Sequence, residues 1–118
     1  MFTVADLPAI IIGSGQTTSS AIGGFDDSEA LAIWAPGTLT GTITLQIAPE
    51  RQATEGGTSS VQTWATLQSG GVDITLSAGK ALTITDIAFR QLRLVSTSAE
   101  GAERSFKVLK QIMVSGRH

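Results

Sequence analysis

The chain lacks cysteine and tyrosine altogether, and its single histidine, His118, is the last of 118 residues. The absence of cysteine excludes disulfide bonds, thiol catalysis and cysteine-ligated zinc, so folding must rest on packing alone or on packing plus subunit contacts. A serine hydrolase needs a base beside its nucleophile, and one histidine in a terminal tail is a poor source of that base. We therefore expect a protein without enzymatic activity, cofactor or metal.

Charged residues are also scarce, at 15% of the sequence, and the formal net charge is −2. Such a chain has no basic field that could hold a nucleic-acid backbone or an anionic membrane surface. The apolar run near the N-terminus spans about six residues, which is far shorter than a signal-peptide core or a membrane span. We expect neither nucleic acid nor membrane as a partner, and a protein that works where it is made or is carried out by another component.

Threonine, serine, glycine, alanine and branched aliphatic residues dominate instead, which favours strands and tight turns. About eight short segments alternate apolar and polar residues, separated by turn signals roughly every 8 to 12 residues, and no long segment has a helical period. The pattern predicts one all-β domain over residues 1–118, an antiparallel β-sandwich or jelly roll. Residues 1–6 form either an arm that reaches a neighbour or a disordered end, and 115–118 form a mobile C-terminal tail.

Individual strands can be predicted in the first half of the chain. Residues 30–35 are followed by a Pro-Gly turn and by the alternating segment 39–48, so we expect these two segments to be neighbouring antiparallel strands. Residues 61–67 predict another strand, in which Trp64 is either the odd buried residue or lies at a bulge.

The second half gives a similar series. Residues 72–76 alternate, residues 77–80 predict a turn, and residues 81–85 predict a short strand. Residues 85–89 resemble a single helical turn with Thr85 or Asp86 as its cap. A strand over 90–96 should point Leu92 and Leu94 inward and the residues between and beside them outward: Gln91, Arg93, Val95. The final strand should supply three core residues: Phe106, Val108, Ile112.

Residues 9–15, "AIIIGSG", raise the question of a nucleotide-binding motif, because an apolar run is followed at once by Gly-x-Gly. A dinucleotide site needs a third glycine where Thr18 stands and then a helix, which the Thr- and Ser-rich continuation disfavours. The Gly79-Lys80 pair likewise lacks the rest of a P-loop. We interpret residues 13–15 as a turn between a strand at 9–12 and an edge strand at 16–22.

Acidic residues offer little chemistry. The cluster Asp26–Glu29 lacks the alternating spacing of a calcium loop and is better interpreted as a solvated loop. The fold could bring together two carboxylates for sugar hydrolysis, but no sequence feature recommends such a pair. The carboxylates that could take part are Glu50, Glu55, Asp73 and Asp86.

The two tryptophans, Trp34 and Trp64, lie on predicted strands and are interpreted as core or interface anchors. Carbohydrate-recognition faces present several exposed rings, so a carbohydrate-binding module for host attachment is an alternative that depends on where these two rings lie.

Taken in order, the motifs resemble those of small β-sandwich virion proteins of tailed bacteriophages. In that family a Gly-Gln-Thr-Thr-Ser segment followed by Ala-Ile opens the domain, as at residues 15–22 here. A Pro-x-x-Leu-Thr-Gly-Thr segment, a Trp-x-x-Leu pair and an Asp-x-x-Phe turn before an Arg-x-Leu-Arg-Leu strand follow. The matching residues are Pro36, Leu39, Thr40, Gly41, Thr42, Trp64, Leu67, Asp86, Phe89, Arg90, Leu92, Arg93 and Leu94.

The resemblance implies a capsid decoration or cement protein, made in the host cytoplasm and carried on the outer surface of the head. Its partner would be the major capsid protein, whose subunits it would bridge and stabilise, and it would itself be a homo-oligomer, with a trimer favoured. A tail, neck or fibre-base component of the same virion is the nearby alternative. The polar loop before Trp64, longer here than in the family, supplies the expected partner contacts: Glu50, Arg51, Gln52, Glu55.

Overall fold

A computed structural model of the chain describes residues 2–25, 27–50 and 62–113. All regular structure in these ranges consists of β-strands, ten in number and paired antiparallel. The strands are β1 (Phe2–Ile12), β2 (Ser28–Trp34), β3 (Ile43–Ala48), β4 (Ala65–Thr66), β5 (Gln68–Ser69), β6 (Val72–Asp73), β7 (Thr75–Leu76), β8 (Ala81–Thr85), β9 (Gln91–Ser96) and β10 (Arg104–Met113).

Two sheets enclose the core. The first has the strand order β1-β10-β2-β8; in the second, β9 pairs with β3, which also pairs with β4 and β7. The strands β5 and β6 form a separate two-stranded ribbon. The fold is therefore an antiparallel β-sandwich, as the alternation predicted, and the strand count exceeds eight because four of the strands have only two residues.

The core forms where the alternating residues of both sheets meet. Phe25 and Phe89, from the connections between strands, pack edge to face with ring centroids 5.4 Å apart. Each fully buried aliphatic side chain contributes about 1.5–3 kcal/mol relative to an exposed one. The apolar residues with no exposed surface are Ile10, Ile12, Phe25, Ile33, Ile43, Leu45, Ala48, Leu92, Leu94, Phe106 and Val108.

The prediction that residues 30–35 and 39–48 are neighbouring strands is wrong. β2 pairs with β10 and β8 in the first sheet, whereas β3 pairs with β9, β4 and β7 in the second. Residues 35–42 carry the chain from one sheet to the other, which a two-residue hairpin turn after Pro36 could not do.

The predicted helical turn at residues 85–89 is also absent. Asp86 has a φ of 55°, in the left-handed region, so the backbone reverses direction at that residue and does not enter a right-handed turn. Aspartate tolerates this conformation better than most residues because its short polar side chain can interact with the backbone nearby.

The turn at residues 13–15 is confirmed. The amide of Gln16 donates to the carbonyl oxygen of Gly13 at 3.0 Å, and Gly15 has a φ of 78°. The following segment runs along the free edge of β9 through isolated bridges from Thr18 and Ile22, so it is an edge segment of the second sheet without forming a regular strand.

The edge strand β1 includes the residues considered as a possible arm. Residues 2–6 pair with 109–113 of β10. Farther along, Pro8 and Ala9 together stand opposite the single residue Lys107, which is a β-bulge. Proline and bulges are common at sheet edges, where they limit pairing with other chains. The tail 115–118 lies outside the described residues.

Glu100 joins the loops at one end of the sandwich. Its side chain is 1% exposed, and its carboxylate accepts hydrogen bonds from the amides of Thr40 and Gly41 and from Ser96 Oγ and Arg104 Nε, at 2.7–3.0 Å. Burial alone would raise the pKa of Glu100, but these donors outweigh it and lower the pKa to about 2. The interaction links the β2–β3 connection to the ends of β9 and β10.

The amide of Gly41 is one of the donors to Glu100, and position 41 has no room for a side chain. A Cβ at this position would lie 2.8 Å from the backbone nitrogen of Ser98 and 2.8 Å from Oγ1 of Thr97, closer than real Cβ contacts. Thr97 is itself held, because its Oγ1 accepts from the amide of Thr42. Only glycine allows the two loops to approach this closely.

We expect Gly41→Ala to lower the free energy of unfolding by about 1–3 kcal/mol, because the added methyl group overlaps backbone that cannot move freely. Gly37→Ala in the same connection is the matched control, since nothing lies within 4 Å of its added Cβ. Urea denaturation of both variants checks the prediction. Equal midpoints for the two variants would contradict it.

We further expect Glu100 to make stability depend on pH. Because its ordinary pKa is 4.5 and its pKa in the fold is about 2, its contribution is complete above about pH 4.5 and is lost as the pH falls towards 2. At 1.36 kcal/mol per pKa unit this contribution is on the order of 3 kcal/mol.

The measurement compares urea denaturation of the wild type with Glu100→Gln between pH 2 and pH 6. The difference in unfolding free energy should shrink as the pH falls, whereas Glu103→Gln, an exposed change in the same loop, should follow the wild type at every pH. A difference independent of pH would exclude the low pKa.

Candidate partner-binding surface

The polar loop expected to contact a partner begins and ends at a well-defined base. Glu50 accepts hydrogen bonds from the amide of Thr63 at 2.8 Å and from its Oγ1 at 2.5 Å, which lower the pKa of Glu50. Gln91 Nε2 donates to the carbonyl oxygen of Glu50 at 2.8 Å and also to Gln62 Oε1. We call Glu50, Gln62, Thr63 and Gln91 the loop base.

The structure places only one of the four expected contact residues. Glu50 is half-buried, and both its carboxylate oxygens are used by Thr63, so it serves the loop base more than a partner. Arg51, Gln52 and Glu55 lie outside the described residues. Gln91, expected to point to solvent, is 3% exposed, and its side chain is hydrogen-bonded to Glu50 and Gln62.

Trp64 follows the loop base directly and meets Arg93 on the outer face of the second sheet. The guanidinium carbon of Arg93 lies 4.2 Å from the ring centroid of Trp64, and Arg93 Nε donates to Gln46 Oε1 at 2.7 Å. Arg93 and Gln46 are directly opposite in the β3–β9 pair, so the register brings them together. We call Gln46, Trp64 and Arg93 the arginine platform.

The alternation of β9 predicts that Arg93 faces outward between two buried leucines. Its two partners could not be found in the sequence, because Gln46 and Trp64 lie 47 and 29 positions away. A cation over an indole ring contributes roughly 0.5–1 kcal/mol where solvent has access.

The outer face of the first sheet carries a second feature, a shallow apolar groove. Trp34 is 41% exposed and Val4 60% exposed, and residues of β10 and small residues of β2 line the groove with them. The outer face of a sandwich sheet is ordinarily polar, so this patch is unusual for a surface in contact with water. We call it the outer groove; its residues include Val4, Ala30, Ala32, Trp34, Thr83 and Leu109.

Two of the acidic residues considered for catalysis or calcium have local partners. Asp73 accepts from Gln68 Nε2 at 2.7 Å, and Asp27 forms an ion pair with Lys110 at 3.0 Å. Within residues 2–25, 27–50 and 62–113, no group of three or more histidine or acidic side chains is placed to hold a metal ion. The described part of the chain also contains no helix able to cross a membrane.

We expect Thr63→Val to raise the pKa of Glu50 towards its ordinary value, because the substitution removes the hydroxyl donor that lowers that pKa most. A pH titration followed by carbon NMR of the glutamate carboxylates measures it. Thr66→Val, at an exposed position on β4, is the control and should leave the titration of Glu50 unchanged. An unshifted Glu50 in Thr63→Val would mean that the loop base is not formed in solution.

No protein-family model matches the chain, and no curated protein matches it either. Among solved structures, the chain is similar to one described as "Bacillus endospore appendages form a novel family of disulfide-linked pili". The sequences are 15% identical, the TM-score is 0.49, and the match covers 98% of this chain and 90% of the other. At these values the similarity bears on no functional question.

Proposed function

We propose that this chain is a non-enzymatic structural protein of a bacteriophage virion, a capsid decoration or cement protein. It binds the outside of the head, where it bridges and stabilises neighbouring subunits of the major capsid protein. The sequence motifs that resemble those of virion proteins carry this proposal, and several of the matching residues have defined structural roles in this sandwich.

Three of the matched residues illustrate the point. Gly41 allows the close approach of two loops, Asp86 takes the left-handed turn before β9, and Arg93 stacks on Trp64. These roles are those of this chain; that virion proteins use the matching residues in the same way is part of the proposal.

The surfaces support an assembly role for that module. The outer groove offers an apolar contact of the kind buried between subunits, and the proposed homo-oligomer, a trimer by resemblance, would cover it. The loop base and the arginine platform lie on the other sheet and stay available for the capsid. One protein could then contact both its own copies and the shell.

Exposed Trp34 favours one alternative function, a carbohydrate-binding module for host attachment, since a partly exposed indole can stack on a sugar ring. Trp64, by contrast, is covered by Arg93. A glycan array distinguishes the two functions: saturable hits that disappear in Trp34→Ala would favour the carbohydrate module over the decoration protein.

The test of the proposed function uses purified protein and expanded capsids that lack it. We expect the protein to sediment as a trimer, to bind the capsids saturably and to raise the temperature at which they lose their DNA. Binding at many equivalent sites lets modest individual contacts stabilise the shell. Bovine serum albumin at equal concentration controls for non-specific protection.

Two results would overturn the proposal. Failure to bind the capsids would exclude a decoration role, as would complete particles no more resistant to heat than particles without the protein. Density in a reconstruction of the virion at the tail, neck or fibre base would assign the protein to that alternative position.

A further inference from the structure

Arg93 is held in one conformation before any partner arrives. Its Nε–H is fixed by Gln46 at 2.7 Å, and one face of its guanidinium lies on the ring of Trp64. Gln46 lies on β3, where it is paired with both β4 and β9, and Trp64 immediately precedes β4. An arginine side chain ordinarily loses considerable rotamer entropy when it binds a partner. Here Gln46 and Trp64 already restrict the side chain, so that entropy is lost on folding and not on binding.

The outer edge of this guanidinium has no partner among the described residues. The ion pairs in these ranges are made by Arg104, Lys107 and Lys110, and none involves Arg93. Its hydrogen bond to Gln46 uses Nε alone, which leaves the N–H groups of both Nη atoms without acceptors in the described part of the chain. The half-buried charge is thus not neutralised locally, and burial lowers the pKa of Arg93.

The residues around Arg93 favour a ligand with a single carboxylate over a polyanion. Thr44 and Thr66, next to Gln46 along and across the sheet, are uncharged, and the chain as a whole carries a formal net charge of −2. A nucleic acid or an anionic membrane needs many basic contacts, whereas a planar guanidinium with two free Nη groups matches the two oxygens of one carboxylate. Arginine beside tryptophan is also the composition typical of binding hot spots between proteins.

We propose that the arginine platform is a preformed receptor for a single aspartate or glutamate side chain of a protein partner. The carboxylate receives parallel hydrogen bonds from the Nη groups of Arg93 while Trp64 supports the guanidinium from one face. That the partner is the capsid shell rests on the proposed function; that the platform binds a carboxylate does not.

The first experiment examines the platform alone. Full-length protein labelled with nitrogen-15 is titrated with sodium acetate against sodium chloride of equal ionic strength, and the arginine side-chain resonances are followed by NMR. The Arg93 signals should shift saturably with acetate. The signals of Arg104, already paired with Glu100, should not shift in this way.

Two variants probe the geometry. Arg93→Lys keeps the charge but loses the planar fork, and Gln46→Glu places a competing carboxylate beside the guanidinium, so each should weaken acetate binding at least about tenfold. In Arg93→Lys the site is followed through the indole resonance of Trp64. Arg90→Lys, on the neighbouring turn, is the control and should bind like the wild type. Arg93 signals that respond no differently from those of Arg90 would overturn the proposal.

The second experiment measures binding of the same variants to expanded capsids. Loss of about tenfold or more in affinity for Arg93→Lys and Gln46→Glu, with wild-type affinity for Arg90→Lys, is the expected result. Wild-type affinity in both platform variants would exclude the platform as the capsid contact. If the wild type itself does not bind capsids but Arg93 still binds acetate, the proposed function fails and the carboxylate receptor stands.

Discussion

The buried carboxylate of Glu100 is the interaction that fixes one end of the sandwich. It lies 60 and 59 positions from the two amides that it accepts from, Thr40 and Gly41, so it joins parts of the chain that have no local reason to meet. The same residue uses its backbone as well: its carbonyl oxygen accepts from Gly15 and its amide donates to Gln16. Glu100 thereby holds loops from both sheets together.

This arrangement explains why a chain without disulfides can fix several loops at once. A buried charge is tolerated only when it is fully hydrogen-bonded, and losing a single donor would leave part of it uncompensated. The geometry of each loop is therefore coupled to the others through one carboxylate. Gly41 reflects this coupling, because no side chain larger than hydrogen fits where its loop meets the loop of Ser98.

The alternation of apolar and polar residues was enough to predict the architecture. The strand at 81–85 is found as predicted, and Leu92 and Leu94 point into the core as expected. Period-two alternation fixes which face is buried, but it does not say which sheet a strand joins. That is why residues 30–35 and 39–48 were paired wrongly: the connection between them is long enough to cross the sandwich.

The features that could not be predicted all depend on contacts between distant residues. Glu100 looks like one more acidic residue in a polar turn, and its burial follows only once two other loops reach it. The alternation with Leu92 predicts Gln91 at the surface, yet Gln91 is buried and hydrogen-bonded to Glu50 and Gln62, which are distant in sequence. The arginine platform combines β3, β9 and the segment that enters β4, and the β3–β9 register places Gln46 opposite Arg93. Propensity is local, whereas these sites are properties of the assembled sheets.

The two ends of the β3–β9 pair therefore differ in whether their polar groups are used inside the fold or remain free to bind a partner. At one end Glu100 uses its hydrogen-bonding capacity inside the fold, and Arg104 is neutralised there. At the other end lie the loop base and, on the adjoining face, Arg93, which keeps its outer N–H groups free among the described residues. Six residues of β3, about 20 Å, separate the two. Because the Glu100 end is held by several hydrogen bonds within the fold, a partner that contacts the preorganised Arg93 would not need to reorder the sheets.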